Sequence, residues 1–396
     1  MYMPERNLNF DKITERRGTK CLKYDFAGKR GYPEDVLPLW VADMDFKTSS
    51  YAEDALAKIV EHNIYGYTNI QEGDGFFEAV SGWMKRHHSW EVELSWHVHT
   101  PGVCAAISLA VRAFTNAEDA VIIQQPVYYP FSSIILQNRR KLISNDLVYD
   151  GDGNYTIDFD DFEKKISDNN VRLFILCNPH NPVGRVWTKE ELERLGTICR
   201  KHNVLVFSDE IHFDFIWTGT HTIFQEVKPE FKEFTITATA PSKTFNLAGV
   251  QQSNIFIANK DLKDKFVKEY AISGFDEPNC FGIAAAQAAY TYGDEWYEAV
   301  KKYIKANIDF TASFAAQRLP GVKMRKPEGT YLIWLDFRGL GLSTADLEDL
   351  IIQKSGLWLD SGTIFGANGQ GFQRINVACP RATLQEALER LEKALL

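Results

Sequence analysis

Short apolar runs alternate with amphipathic stretches through the middle of the chain. AVIIQQP (120–126), RLFILCNPHNP (172–182), NVLVFSDEIH (203–212) and FTITATAPSKTF (234–245) carry continuous runs of apolar or β-branched residues that end at polar or proline positions. A strand with no polar face is buried on both faces. Helical patterns lie between these runs. GVCAAISLAVRAF (102–114) has a broad apolar face, and TKEELERLGTICRKH (188–202) is amphipathic, with Thr188 and Glu191 spaced as a capping box. Buried strands separated by helices predict a mainly parallel sheet covered by helices on both sides. After about residue 285 the pattern changes. A long helix is expected over 294–318, a strand in YLIWLDF (331–337), a glycine-rich loop feeding a strand in GTIFGANGQGFQRINVACP (362–380), and a closing helix in TLQEALERLEKALL. The expectation is an α/β fold with a large domain over 50–285. A smaller, discontinuous α+β domain takes 1–49 and 286–396.

In sheets of this kind ligands bind beyond the carboxyl ends of the strands. Tyr128, Asn181, Asp209 and Lys243 each lie just past the end of a separate predicted strand, so they converge on one rim. Lys243 sits in SKTFNLAG with few neighbouring charges. A surface lysine would snorkel to water. A pocket lysine, deprotonated by burial and by a nearby cationic ring, forms an imine with an aldehyde. Asp209 in SDEIH can pair with a pyridine nitrogen and keep it protonated, which makes the ring an electron sink. Asn181 can donate to a phenolic oxygen, and Tyr128 can stack on the ring at about 0.5–1.5 kcal/mol. In TPGVCAAIS a glycine turn opens a helix, leaving the N–H groups of Val103 and Cys104 free for a phosphate, with the Ser242 hydroxyl as a further donor. Arg374 in FQRINVACP offers a planar fork for a carboxylate. Singly, each has a plain reading: a helix cap, a turn asparagine, a core ring, a surface arginine. Jointly, in this order and on these elements, they point to an aldehyde-bearing aromatic phosphate.

Composition narrows the class. The net charge of -9 argues against a general nucleic-acid binder. No apolar run approaches the ~18 residues of a membrane span, and MYMPERNLNFDKITERRGTK lacks the apolar core of a secretory leader. The six cysteines include no CxxC pair, so free thiols in a reducing, cytoplasmic setting are expected. His97 and His99 share a strand face, but no further ligand stands nearby and no metal site is expected.

The motifs TPGV, PVYYPF, NPHNPVG, SDEIH, SKTFNLAG and FQRINVACP extend over nearly the whole chain. Together they resemble the fold-type I pyridoxal-5'-phosphate enzymes of the aminotransferase class I/II superfamily, whose large domain holds a mainly parallel sheet of the seven-stranded type. FDKITERRGTKCLKYD (10–25), LPLWVADMDF (37–46) and the histidine of DEIH are similar to the cystathionine β-lyase and cysteine-S-conjugate β-lyase subgroup. The resemblance implies α,β-elimination of L-cystathionine or a related cysteine thioether to a thiol, pyruvate and ammonia. It implies Lys243 as imine lysine and proton carrier, Asp209 at the ring nitrogen, and Asn181 at the ring hydroxyl and the substrate. Tyr128 would stack on the ring, with a catalytic share, and Arg374 would clamp the carboxylate. His212 stands where many aminotransferases carry tyrosine, and either tunes the ring oxygen or packs beneath the cofactor. A homodimer with shared active sites is implied, with Tyr67 of NIYGYTN reaching the partner's phosphate and substrate. The chain departs from the pattern in AGVQQS, where Gln251 and Gln252 replace a common phosphate-binding arginine. Trp40, Tyr129 and Phe365 are candidate pocket walls. Two rival readings are a keto-acid-dependent aminotransferase and a cofactor-bound protein that chiefly binds a regulatory partner.

Overall fold

Seven strands make the central sheet of the computed structural model, which describes residues 4–275 and 277–396: β1 (His97–Thr100), β2 (Ala120–Ile123), β3 (Lys141–Ser144), β4 (Val171–Cys177), β5 (Leu205–Asp209), β6 (Thr235–Thr239) and β7 (Ser253–Phe256). Their order is β1-β7-β6-β5-β4-β2-β3. The pairings β2/β3, β2/β4, β4/β5 and β5/β6 are parallel. β7 runs antiparallel to both β6 and β1. The four apolar runs in the sequence became the buried strands β2, β4, β5 and β6. β5 runs further than expected: Asp209 is its last residue rather than one just past its end, because its backbone still pairs with the neighbouring strands.

Helices cover the sheet where the pattern placed them. α1 (Val103–Phe114) buries Val103, Ala106, Ile107, Leu109, Ala110 and Val111. α2 (Lys189–Lys201) starts with the expected capping box: Thr188 Oγ1 accepts from Glu191 N at 3.2 Å, and Glu191 Oε2 accepts from Thr188 N at 2.8 Å. Gly196 lies on the buried face of this helix. A Cβ added there would come within 2.1 Å of Phe231 Cε2, part of a ring that is itself buried and stacked on Phe224. Overpacking of this kind costs about 1–3 kcal/mol. Gly196→Ala is therefore expected to lower the melting temperature by several degrees, measurable by thermal denaturation.

A second sheet follows: β8 (Lys323–Met324), β9 (Leu332–Asp336), β10 (Asp360–Ser361) and β11 (Phe372–Asn376), in the order β8-β9-β11-β10, with antiparallel pairings. The long helix α3 (Asp294–Arg318) and the closing helix α4 (Arg381–Leu395) pack beside it. Leu37–Pro38 pairs in parallel with Leu357–Trp358, so the amino-terminal strap joins the carboxy-terminal part of the chain. One apolar cluster runs from Phe10 and Leu39 through Trp83, Phe245 and Tyr297 to Tyr331 and Leu391, crossing the region near 285 where the sequence pattern changes. The carboxyl ends of β4, β5 and β6 open toward this junction.

Candidate active site

A cavity of about 280 Å³ lies at that rim. Nine of the residues singled out in the sequence line it: Val103, Cys104, Tyr128, Asn181, Asp209, His212, Ser242, Lys243 and Arg374. Trp40 and Tyr129 line it as well, while Phe365 lies fully buried behind Arg374, its ring 4.9 Å from the guanidinium carbon. Tyr67 does not belong to this group. It is 94% exposed and outside the cavity.

The strands explain the convergence. Asp209 is the last residue of β5, Asn181 follows β4 by four residues, and Lys243 follows β6 by four, in the short helix Pro241–Thr244. Neighbouring parallel strands therefore present a carboxylate, an amide and an amine at one end. Asp209 is buried, and its Oδ1 accepts from Ile211 N at 3.1 Å. Among the described residues this is the only hydrogen bond to its side chain. Burial pushes its pKa up to about 7, more than the nearby Lys243 charge pulls it down. Lys243 is half-buried, and its Nζ donates to Ala42 O at 2.8 Å. Burial holds its pKa below the usual lysine value, while Asp43 pulls the other way. His212 is buried beside Tyr331, with ring centroids 5.9 Å apart, and its Nδ1 has no hydrogen-bond partner among the described residues. Burial, and then the Lys243 and Arg374 charges, hold it neutral.

At the other end of the cavity, α1 begins at Gly102, whose φ of 152° a side chain would rarely adopt. No side chain caps this helix, so the N–H groups of Val103 and Cys104 face the cavity with the helix dipole behind them. Ser242, Gln251 and Gln252 complete this wall. The Tyr128 hydroxyl lies 3.9 Å from Cys104 Sγ, which sets the ring beside the start of α1.

Sequence reasoning missed several contributors. The Ala42 carbonyl holds both Lys243 Nζ and the Tyr331 hydroxyl, the latter at 2.9 Å. The strap carrying it is braced from two sides: Asn376 Nδ2 donates to Val41 O and Asp43 O at 2.6 and 2.7 Å, and Asn246 Nδ2 to Met44 O and Phe46 O at 3.0 and 2.8 Å. Beneath it, Arg16 reaches Asp45 at 2.6 Å and Asp43 at 2.5 Å, and the fully buried Lys23 reaches Asp45 at 2.8 Å. The two amino-terminal motifs thus meet in one ion network under the cavity floor. Asp360, also missed, pairs with Arg374 inside the cavity. Its signal was a lone acidic residue at a strand end before the glycine-rich loop.

Comparison with known proteins adds a lineage. The chain matches the aminotransferase class I and II family over residues 34–391. It is similar to the cystathionine beta-lyase PatB of Bacillus subtilis (strain 168), with 43% identity over 389 residues, 98% of this chain and 100% of that one. Among solved structures, cystalysin from Treponema denticola, which contains a pyridoxal 5'-phosphate cofactor, superposes with a TM-score of 0.93 at 40% identity, covering 98% of both chains. The pyridoxal-phosphate-bound C–S lyase from Staphylococcus hominis, complexed with L-cycloserine, gives a TM-score of 0.91 at 33% identity, covering 99% of both.

Proposed function

Since the chain belongs to the aminotransferase class I and II family, we propose that it is a pyridoxal-phosphate-dependent C–S lyase that cleaves L-cystathionine or related cysteine thioethers. The observation that carries the cofactor reading is Asp209: a buried carboxylate, facing a cavity that also holds a lysine amine, with no cation in hydrogen-bond contact. The lyase reading, over transamination, is supported by the full-length likeness to PatB.

The donor set fits the cofactor group by group. Asp209 would pair with the ring nitrogen. The Val103 and Cys104 amides and the Ser242 hydroxyl would hold the phosphate, with Gln251 and Gln252 nearby in place of a cation. Asn181 Oδ1 already accepts from Arg374 at 2.9 Å, which leaves its amide nitrogen to donate to the ring hydroxyl. Tyr128 would lie against the ring face. His212, held neutral, would pack beside it. When bound, pyridoxal phosphate supplies an aldehyde that links to a primary amine and a protonated ring that accepts the electron pair left at Cα.

Lys243 would anchor the cofactor and yield that position to the substrate amine. Arg374 would hold the α-carboxylate. Nζ of Lys243, its pKa lowered by burial, then takes the proton from substrate Cα. The Ala42 carbonyl keeps Nζ aimed at one side of the cavity. As the β C–S bond breaks, Lys243 returns a proton to the departing sulfur, with the Tyr128 hydroxyl as a second acid within the cavity. The remaining three-carbon enamine hydrolyses to pyruvate and ammonia, one water being consumed per turnover.

The same reading includes a homodimer with Tyr67 crossing into the partner's site; the exposure of that ring, on a segment that also exposes Val60, Ile64 and Tyr65, supports it. It also includes the large and discontinuous small domains and a cytoplasmic setting. Among the described residues no helix is long and apolar enough to cross a membrane. The test is one assay: L-cystathionine with the loaded protein and no keto acid. Equal, sustained release of pyruvate and homocysteine is expected. No release of either product, with the amino group passed instead to an added keto acid, would replace the lyase reading with transamination.

A further inference from the structure

The arginine assigned to the substrate carboxylate is already occupied. Arg374 is buried; its Nη1 donates to Asn181 Oδ1 at 2.9 Å, and its Nη2 donates to both Trp40 O, at 2.8 Å, and Asp360 Oδ2. Its Nε is buried without an acceptor among the described residues. A carboxylate grips a guanidinium through two parallel N–H bonds. Both forks, Nη1 with Nη2 and Nε with Nη2, use Nη2, and both Nη2 hydrogens are taken. An incoming α-carboxylate must therefore displace one acceptor. The Trp40 carbonyl is main chain, next to the strap that Asn376 and Asn246 brace. Asp360 is a side chain.

We propose that Asp360 is an internal stand-in for the substrate's α-carboxylate, holding Arg374 until the substrate displaces it from Nη2. This deepens the lyase reading and rests on its assignment of Arg374 as the carboxylate clamp. Asp360 and Arg374 are direct partners across the β10/β11 pairing, so the stand-in is built into the sheet register. Directly opposed residues in such a pair hold their Cβ atoms about 4.5–5.5 Å apart. Exchange thus needs only a side-chain rotation. β10 is an edge strand of two residues. Tyr129 and Arg30 lie close enough to exchange electrostatic influence with Asp360, and the exposed Arg30 guanidinium sits 4.6 Å from the Trp40 ring centroid. The displaced carboxylate has a hydroxyl and a cation to turn to. The arrangement keeps a buried arginine paired in the resting enzyme, where an unpaired one would be costly. It also makes carboxylate binding an exchange rather than a net gain, so Asp360 sets the affinity for every α-carboxylate substrate.

The experiment uses 3-(methylthio)propionate, a thioether acid without an amine, which cannot react. It is titrated by calorimetry into the loaded wild-type protein and into loaded Asp360→Asn. The variant is expected to bind it about tenfold more tightly, because a charged competitor for Nη2 has become a neutral one. Equal or weaker binding in the variant, including none, would mean that Asp360 is a fixed strut for Arg374 and would overturn the proposal. Should Asp360→Asn fail to fold, a crystal structure of the wild-type protein with the acid decides. Asp360 is expected out of hydrogen-bond range of Nη2, and an unbroken Asp360–Arg374 contact beside bound ligand would overturn the proposal. Neither readout needs turnover. A protein that failed to cleave cystathionine while Asp360→Asn tightened acid binding would lose the lyase reading and keep the stand-in.

Discussion

Lys243→Ala is expected to abolish thioether cleavage, with a loss of about 10⁴-fold or more. General base catalysis alone contributes about 10²–10⁴, and the same substitution removes the covalent anchor. The cavity has no replacement amine: among its lining residues the other basic side chains are Arg374, a guanidinium rather than a primary amine, and His212, which is buried and kept neutral. Asp209 and the phosphate-facing amides remain in Lys243→Ala, so the cofactor should still bind. Anchoring and binding can then be separated. Treatment with borohydride should fix the cofactor to the wild-type chain, adding its mass to the peptide that contains Lys243. In Lys243→Ala no such mass gain should appear, although the cofactor still co-elutes with the protein. Ordinary turnover in the variant would remove Lys243 from the mechanism. A mass gain on another lysine would move the anchor there.

Much of this site was legible because strand ends carry a strong local signal. A continuous apolar run that stops at Asp209, at the loop before Asn181 or just before Lys243 announces both a buried strand and the polar residue at its tip. Arg374 was legible for a different reason: it stands in the strand that the glycine-rich loop feeds. What stayed hidden has no local signature. The Ala42 carbonyl is main chain, and it meets Lys243 across 201 positions of sequence. The direction of β7 could not be read, because SNIF has the same composition whichever way it runs; the connection from β6 decides it. Nothing in the sequence near Asp360 points to a partner, and only the β10/β11 register sets it against Arg374. The ion network of Arg16, Lys23, Asp43 and Asp45 was recognisable as a pair of motifs, but not as one buried cluster, since charges read singly are assigned to solvent. Tyr67 is exposed and stands outside the cavity, so the role expected of it has no counterpart within this chain.

Asp209→Asn is expected to push the cofactor-free and cofactor-loaded proteins in opposite directions, which separates a cofactor partner from a structural cap. In the free protein burial raises the Asp209 pKa to about 7, whereas an unfolded chain has the ordinary value of 3.8. Between these values the native state holds a proton that the unfolded state has lost, so stability falls as pH rises through this window. Above pH 7 the native protein carries an ionised, buried carboxylate with no cation in hydrogen-bond contact among the described residues, a penalty of up to about 4 kcal/mol. Asparagine fills the same space and cannot ionise. Stripped of cofactor, Asp209→Asn should melt higher than wild type at pH 8 and close to it at pH 4. Loading reverses the order, because a protonated ring nitrogen pairs with the Asp209 carboxylate and favours its charged form, an interaction asparagine cannot make. Loaded Asp209→Asn should melt lower than loaded wild type at pH 8. Its turnover should fall by about 10³-fold or more, since nothing then keeps the ring protonated. Melting curves of stripped and reloaded protein at the two pH values test this without any assay of activity. Equal destabilisation of both forms would make Asp209 a cap for the turn at Ile211 and leave the electron sink without its counter-ion.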